Sequence, residues 1–150
     1  MNDEYFMSQA IALAKEAAEE GEVPVGAVVV FDGKIVGKGR NRREISKNAL
    51  AHAEIEAINE ACRALGGWRL WQCDIYVTLE PCPMCTGAII NSRIKRLVYG
   101  ASDYKAGSCG SVIDLFSLPY NHKPEVAKGV MQEECAALLS DFFKKLRKKL

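Results

Sequence analysis

The chain has 150 residues, 49% hydrophobic and 26% charged, with 20 Lys and Arg against 19 Asp and Glu for a net charge of +1. That length fits one domain, residues 1–150, with a packed core, and the composition excludes a disordered or low-complexity chain. The balanced total hides a gradient: residues 144–150 carry five positive charges and no acid, which leaves +1 − 5 = −4 on the first 143 residues.

Residues 2–20 place Phe6, Ala10, Leu13, Ala14 and Ala17 at helical spacing. Residues 25–31 and 34–39 read as strands, and Asp32-Gly33 between them is a strong hairpin signal. Residues 40–48 are polar and basic, a loop. A helix is expected over 49–65, capped by Asn48 or Ser46 and stopped by Gly66-Gly67. Trp68 and Trp71 are expected to cover its end. A strand over 73–79 ends at Glu80-Pro81, a helix covers 82–92, and a fourth strand covers 96–100. A Gly/Ser-rich loop, a short helix over 111–116 and a fifth strand over 125–128 follow. In the last helix Cys135, Leu138, Leu139, Phe142, Phe143 and Leu146 fall at helical spacing, and of the adjacent Phe142 and Phe143 one is expected to leave the core and be free to stack on a base. Strands separated by helices predict an α/β fold with helices on both faces of a mixed sheet. Ligands of such sheets sit beyond the carboxyl ends of the strands.

No apolar run approaches the ~20 residues of a membrane helix. The start MNDEYFMSQA holds acids and lacks the apolar stretch of a secretory signal. A cytoplasmic protein with no membrane partner is therefore expected, and in that compartment six cysteines do not form a disulfide framework. Only Cys82 and Cys85 are close in sequence. Three residues apart at a helix start, their sulfurs share a face, and the helix N-terminus favours their thiolate, metal-binding form. A redox pair or two core thiols would explain these two alone equally well. His52 changes the balance, because two Cys and one His are three ligands, the number at which a catalytic zinc site leaves a position for water. Cys62 lies ten residues beyond His52 on one helix, ~15 Å away, and Cys73 lies ~20 Å from Cys82 along one strand. Geometry leaves Cys109 and Cys135 open as a fourth ligand, although small buried hydrophobes is the plainer reading. Glu54, two residues after His52, reads alone as a solvated helix-face acid like Glu56 or Glu60, but beside His52 and the Cys pair it is placed to carry the protons that hydrolytic deamination needs. It can take a proton from water, pass it to a ring nitrogen and protonate the departing amine.

The pairing of His52-Ala53-Glu54 with Pro81-Cys82-Pro83-Met84-Cys85 is the signature of zinc nucleobase deaminases. Together with Gly21 to Ala27, Asn41-Arg42, Tyr76 to Glu80, Ser92 to Ile94, Lys105 to Gly107, Asn121-His122 and Glu134 to Phe143, it resembles the bacterial tRNA-specific adenosine deaminases of the cytidine/deoxycytidylate deaminase superfamily. The resemblance implies a three-layer α/β/α cytidine-deaminase-like fold with a five-stranded mixed sheet, and a homodimer holding one zinc ion per subunit. It implies His52, Cys82 and Cys85 as metal ligands and Glu54 as the catalytic residue. It implies deamination of the wobble adenosine of a tRNA anticodon stem-loop to inosine. Val25 would wall the pocket, Asn41 would bond the purine and the Ala53 amide would meet the C6 substituent. Asp103 and Lys105 would border the RNA, and Asn121, His122, Phe143 and Arg147 would face the anticodon loop. Ser102 and Tyr104 depart from the residues of well-known relatives. Two other readings compete: a deaminase of a free base such as guanine or cytosine, and a non-catalytic RNA-binding module with a four-ligand structural zinc.

Overall fold

The computed structural model describes residues 2–149; Met1 and Leu150, the end of the basic tail, lie outside the described residues. Helix α1 spans Asp3–Glu19, opened by the Asn2 side chain, which accepts the Tyr5 amide at 3.0 Å. Strands β1 (Gly26–Phe31) and β2 (Lys34–Arg40) form the expected hairpin. Asp32 and Gly33 adopt φ 51° and 74°, the left-handed pair a type I′ turn requires. Then follow α2 (Ala53–Leu65), β3 (Cys73–Leu79), α3 (Pro83–Asn91), β4 (Arg96–Ala101), a 3₁₀ turn (Leu115–Ser117), β5 (Glu125–Lys128) and α4 (Gln132–Lys148).

The sheet order is β2-β1-β3-β4-β5. β1 is antiparallel to β2 and to β3, whereas β3, β4 and β5 are parallel. Alternation along the strands makes two cores. Ala27, Val29, Ile75, Val77, Leu97 and Tyr99 pack with Ala57, Ile58 and Ala61 of α2 and Ile89 and Ile90 of α3. Val28, Val30, Tyr76 and Val98 pack with Phe6, Met7 and Ala10 of α1 and Cys135 of α4. The three-layer, five-stranded mixed arrangement is the expected one. Two arginine-carboxylate bonds fasten α1 to β4: Arg96 donates to both Asp3 oxygens at 2.8 and 2.7 Å, and the Tyr76 hydroxyl adds a third bond to Asp3 at 2.7 Å.

Glycine sets the depth of α2. A Cβ at Gly39 would run into the Ala53 carbonyl oxygen and one at Gly37 into that of Ala57, so the helix lies directly on β2.

Three local expectations are corrected. The helix expected from residue 49 begins at Ala53, and neither Asn48 nor Ser46 caps it; His52 does, without a side-chain bond. Asn48 instead bonds the Leu50 amide at 2.9 Å and its carbonyl takes the Ala51 amide at 3.1 Å, a local turn that competes with helix. The short helix expected over 111–116 is a 3₁₀ turn at Leu115–Ser117, started by the Asp114 carboxylate on the Phe116 amide. Trp68 and Trp71 are 50% and 61% exposed rather than covering a helix end; Arg69 and Arg93 stack on Trp68, at 4.3 and 5.6 Å from the ring centre. No helix among the described residues is long and apolar enough to cross a membrane.

Candidate active site

β3 and β4 end at the same edge of the sheet, where β2 also ends and antiparallel β1 begins. That topology brings four chain segments, distant in sequence, to one rim. A cavity of about 210 Å³ opens there. Val23 and Val25 line it from before β1, Asn41 and Arg43 from after β2, Leu79 and Glu80 from the end of β3, and Asp103 and Ala106 from after β4. His52, Ala53 and Glu54 line it from the start of α2, and Cys82 from the start of α3.

His52 and Cys82 are the N-cap residues of α2 and α3, and Pro83 opens α3 with its ring pre-set for the first helical turn. His52 Nδ1 lies 3.7 Å from Cys82 Sγ and 3.6 Å from Cys85 Sγ. The three ligand atoms all lie within 4.8 Å of one another. A tetrahedral zinc ion with ~2.0–2.1 Å bonds to nitrogen and ~2.3 Å bonds to sulfur would set N and S about 3.6 Å apart. The donor set and its spacing therefore fit zinc. No fourth His, Cys, Asp or Glu joins the group among the described residues. Cys109, one of the two left open by sequence, instead faces the Thr86 hydroxyl at 3.3 Å, and burial pushes its thiol up to about 12. Cys135, the other, packs against Gly100 on the opposite face of the sheet.

The cluster shifts its own protons. Hydrogen bonding from Cys85 holds the Cys82 thiol down at about 4 and pushes the Cys85 thiol far above its ordinary range. The hydrogen bond to Cys82 raises His52 against its burial, and the nearby Arg43 charge opposes the rise. Glu54 is 4% exposed, and burial pushes its carboxyl up to about 7, well above a free glutamate. A backbone hydrogen bond opposes that rise; Cys82 adds to it, whereas His52 and a hydrogen bond with Cys85 lower it.

The remaining expected site residues divide. Val25, Asn41, Ala53 and Asp103 line the cavity. Asn41 spends its amide on the chain, donating to the Val23 carbonyl at 3.1 Å and accepting from the Arg43 amide at 3.0 Å. Asp103 accepts from the Lys105 and Ala106 amides at 3.0 and 3.2 Å; Lys105 is exposed and lies outside the lining. Asn121 and His122 are not brought to this cavity. The His122 ring bonds the Ile94 carbonyl at 2.6 Å, at the entry to β4 and so at the far end of the sheet. Phe143 and Arg147 are exposed on the last turns of α4, outside the lining. Phe143 stacks edge-on against Phe142, ring centres 5.4 Å apart.

Two residues that shape the site stand in stretches that carry the resemblance, yet the sequence assigned them no role. Glu80 is 2% exposed and accepts from the Asp103, Cys109 and Ser111 amides at 3.0, 3.1 and 3.1 Å and from the Ser111 hydroxyl at 2.5 Å. Burial pushes this carboxyl up, but those four bonds outweigh it and hold it below its ordinary value. A Cβ at Gly107 would strike the same carboxyl, which explains that glycine. Glu22, 1% exposed, accepts from the Glu44 and Ile45 amides at 3.1 and 2.7 Å. The two carboxylates pin the two loops that flank the cavity.

The MafB19-like deaminase family model matches residues 1–147, which makes the chain a deaminase. The tRNA-specific adenosine deaminase of Bacillus subtilis (strain 168) is 51% identical over 98% of this chain and 92% of its own length. That of Haemophilus influenzae is 49% identical over 97% of this chain and 85% of its own. A structure solved in a study of A-to-I editing by deaminases at the wobble position of transfer RNA superposes with a TM-score of 0.88 at 46% identity, over 90% of this chain and 99% of its own. The chain belongs to the tRNA-specific adenosine deaminase family.

Proposed function

We propose that this protein hydrolyses adenosine to inosine at the wobble position of a tRNA anticodon, releasing ammonia, with one zinc ion held by His52, Cys82 and Cys85. The observation that carries the reading is the buried Glu54 beside a three-ligand cluster at the floor of a cavity. A structural zinc closes with four protein ligands, whereas a three-ligand set is the catalytic pattern. When bound, zinc supplies Lewis acidity that brings the ionisation of water within reach of neutral pH.

Glu54 does the proton work. It takes a proton from the water that attacks C6 of the adenine, gives it to the ring nitrogen beside that carbon, and carries the second proton to the departing amine. Its burial matches this task, because a carboxyl that titrates near neutrality both accepts and donates at working pH. Val25 walls the base, the Ala53 amide faces the C6 substituent, and Asn41 bonds the purine with the capacity its chain contacts leave. The loop of Asp103 and Lys105 borders the RNA. Because the cavity takes one base, the target adenosine is splayed from the anticodon loop, where unstacking is cheapest. Asn121, His122, Phe143 and Arg147 lie outside this cavity and serve the extended RNA or the cavity of a second copy in a homodimer. On this reading the single domain of residues 1–150, working in the cytoplasm, does its own RNA recognition.

The test is direct. The purified protein is incubated with an adenosine-containing anticodon stem-loop, which is then digested to nucleosides and measured by mass spectrometry. Inosine at the wobble position is expected. No inosine, with deamination of free guanine or cytosine instead, would overturn the reading.

A further inference from the structure

We propose that Arg43 is the phosphate-gripping residue of the cavity mouth, and that it selects adenosine held in a polynucleotide over free adenosine. The inference rests on the deaminase reading and adds a specificity residue to it. Three arginines lie within residues 40–43, and their fates differ. Arg40 is 2.7 Å from Glu20 and 3.5 Å from Glu16, and Arg42 is 3.3 Å from Glu56. The exposed Arg43 side chain makes no ion pair or hydrogen bond among the described residues, yet it lines the cavity with His52 and Glu54. It is the one Lys or Arg in that lining.

The backbone that carries it is fixed. Its amide donates to Asn41 Oδ1 at 3.0 Å, its carbonyl accepts the Asn48 amide at 3.1 Å, and the next two amides sit on buried Glu22. A charge kept for solubility needs neither a pinned backbone nor a place at the mouth. Asp103, in the same lining, is engaged by the Lys105 and Ala106 amides. An unpartnered guanidinium on a rigid loop is pre-organised for an anion, and its planar fork matches phosphate oxygens two at a time. The anion a splayed nucleotide brings to this mouth is its own phosphodiester. A free base or nucleoside brings none.

The experiment measures binding of a fluorescent adenosine-containing stem-loop in a Glu54→Ala background, so that no turnover intervenes. Arg43→Gln should weaken binding roughly tenfold, the worth of one charge-assisted contact. It should also flatten the slope of log affinity against log salt by about 0.7, the value for one phosphate on a single strand. Both differences should vanish when the linkages flanking the target adenosine are replaced by uncharged methylphosphonates. Arg43→Lys should recover part of the affinity, and with Glu54 intact the loss from Arg43→Gln should fall on KM. Arg69→Gln, at the opposite end of β3, should change nothing. Unchanged binding by Arg43→Gln, or a deficit that persists with neutral linkages, would overturn the inference while leaving the deaminase reading standing. A wild-type protein that neither binds nor deaminates the stem-loop overturns both.

Discussion

The Glu80 carboxylate accepts two hydrogen bonds from Ser111, one from its amide at 3.1 Å and one from its hydroxyl at 2.5 Å, across 31 residues of chain. Bonds from the Asp103 and Cys109 amides complete a cradle around a buried charge. This knot folds the loop after β4 back against the end of β3, where Asp103 and Ala106 form one wall of the cavity.

Glu80→Ala should therefore destabilise the protein by about 2–4 kcal/mol in urea unfolding, because it strands the buried Cys109 amide together with two half-buried amides and a hydroxyl. The ligand cluster is contributed by other elements, so a folded Glu80→Ala fraction should still bind metal. Glu80 also has a pH signature. Its folded pKa lies below the unfolded value. Its contribution is thus present above the unfolded pKa and lost as pH falls through the folded one. The acid limb of a stability-against-pH curve should be flatter in Glu80→Gln than in the wild type.

The three residues of the His-Cys-Cys cluster were legible in the sequence because each motif declares itself locally: His-x-Glu at a helix start, and Pro-Cys-x-x-Cys at another. The sheet was legible because alternation and the Asp-Gly turn are strong local signals. Glu80 and Glu22 were not. Their partners are backbone amides, which leave no residue pattern, so each reads as a strand-ending or helix-trailing acid. The start of α2 was misplaced for a related reason. Asn48 suits a helix cap, but its side chain closed a turn two residues on. Arg43 reads as one more surface charge until the pairing of Arg40 and Arg42 is visible.

Metal affinity should weaken as pH falls. Cys82 is held low and is already a thiolate at neutrality, whereas Cys85 is pushed far up and His52 is raised. Zinc must displace the Cys85 proton and any on His52, so acid opposes binding. Competition with a chromogenic chelator between pH 5.5 and 8 should show affinity rising with pH. Calorimetry in buffers of different ionisation heat should show proton release at pH 7.

Gly39→Ala should push α2 off β2, since a Cβ there meets the Ala53 carbonyl directly. Overpacking of this kind destabilises by about 1–3 kcal/mol. Because Ala53 sits between His52 and Glu54, turnover should drop more than stability does. Thermal unfolding and inosine formation, measured on the same preparation, separate the two.

The proposed mechanism has Glu54 moving protons beside a zinc ion held by His52, Cys82 and Cys85. Its most direct test is Glu54→Gln, which keeps the shape and removes the base. Zinc content by elemental mass spectrometry should remain one per subunit, while inosine formation in the stem-loop falls at least 10²–10⁴-fold, the range of a lost general acid-base group. Full zinc with near wild-type turnover would contradict the account.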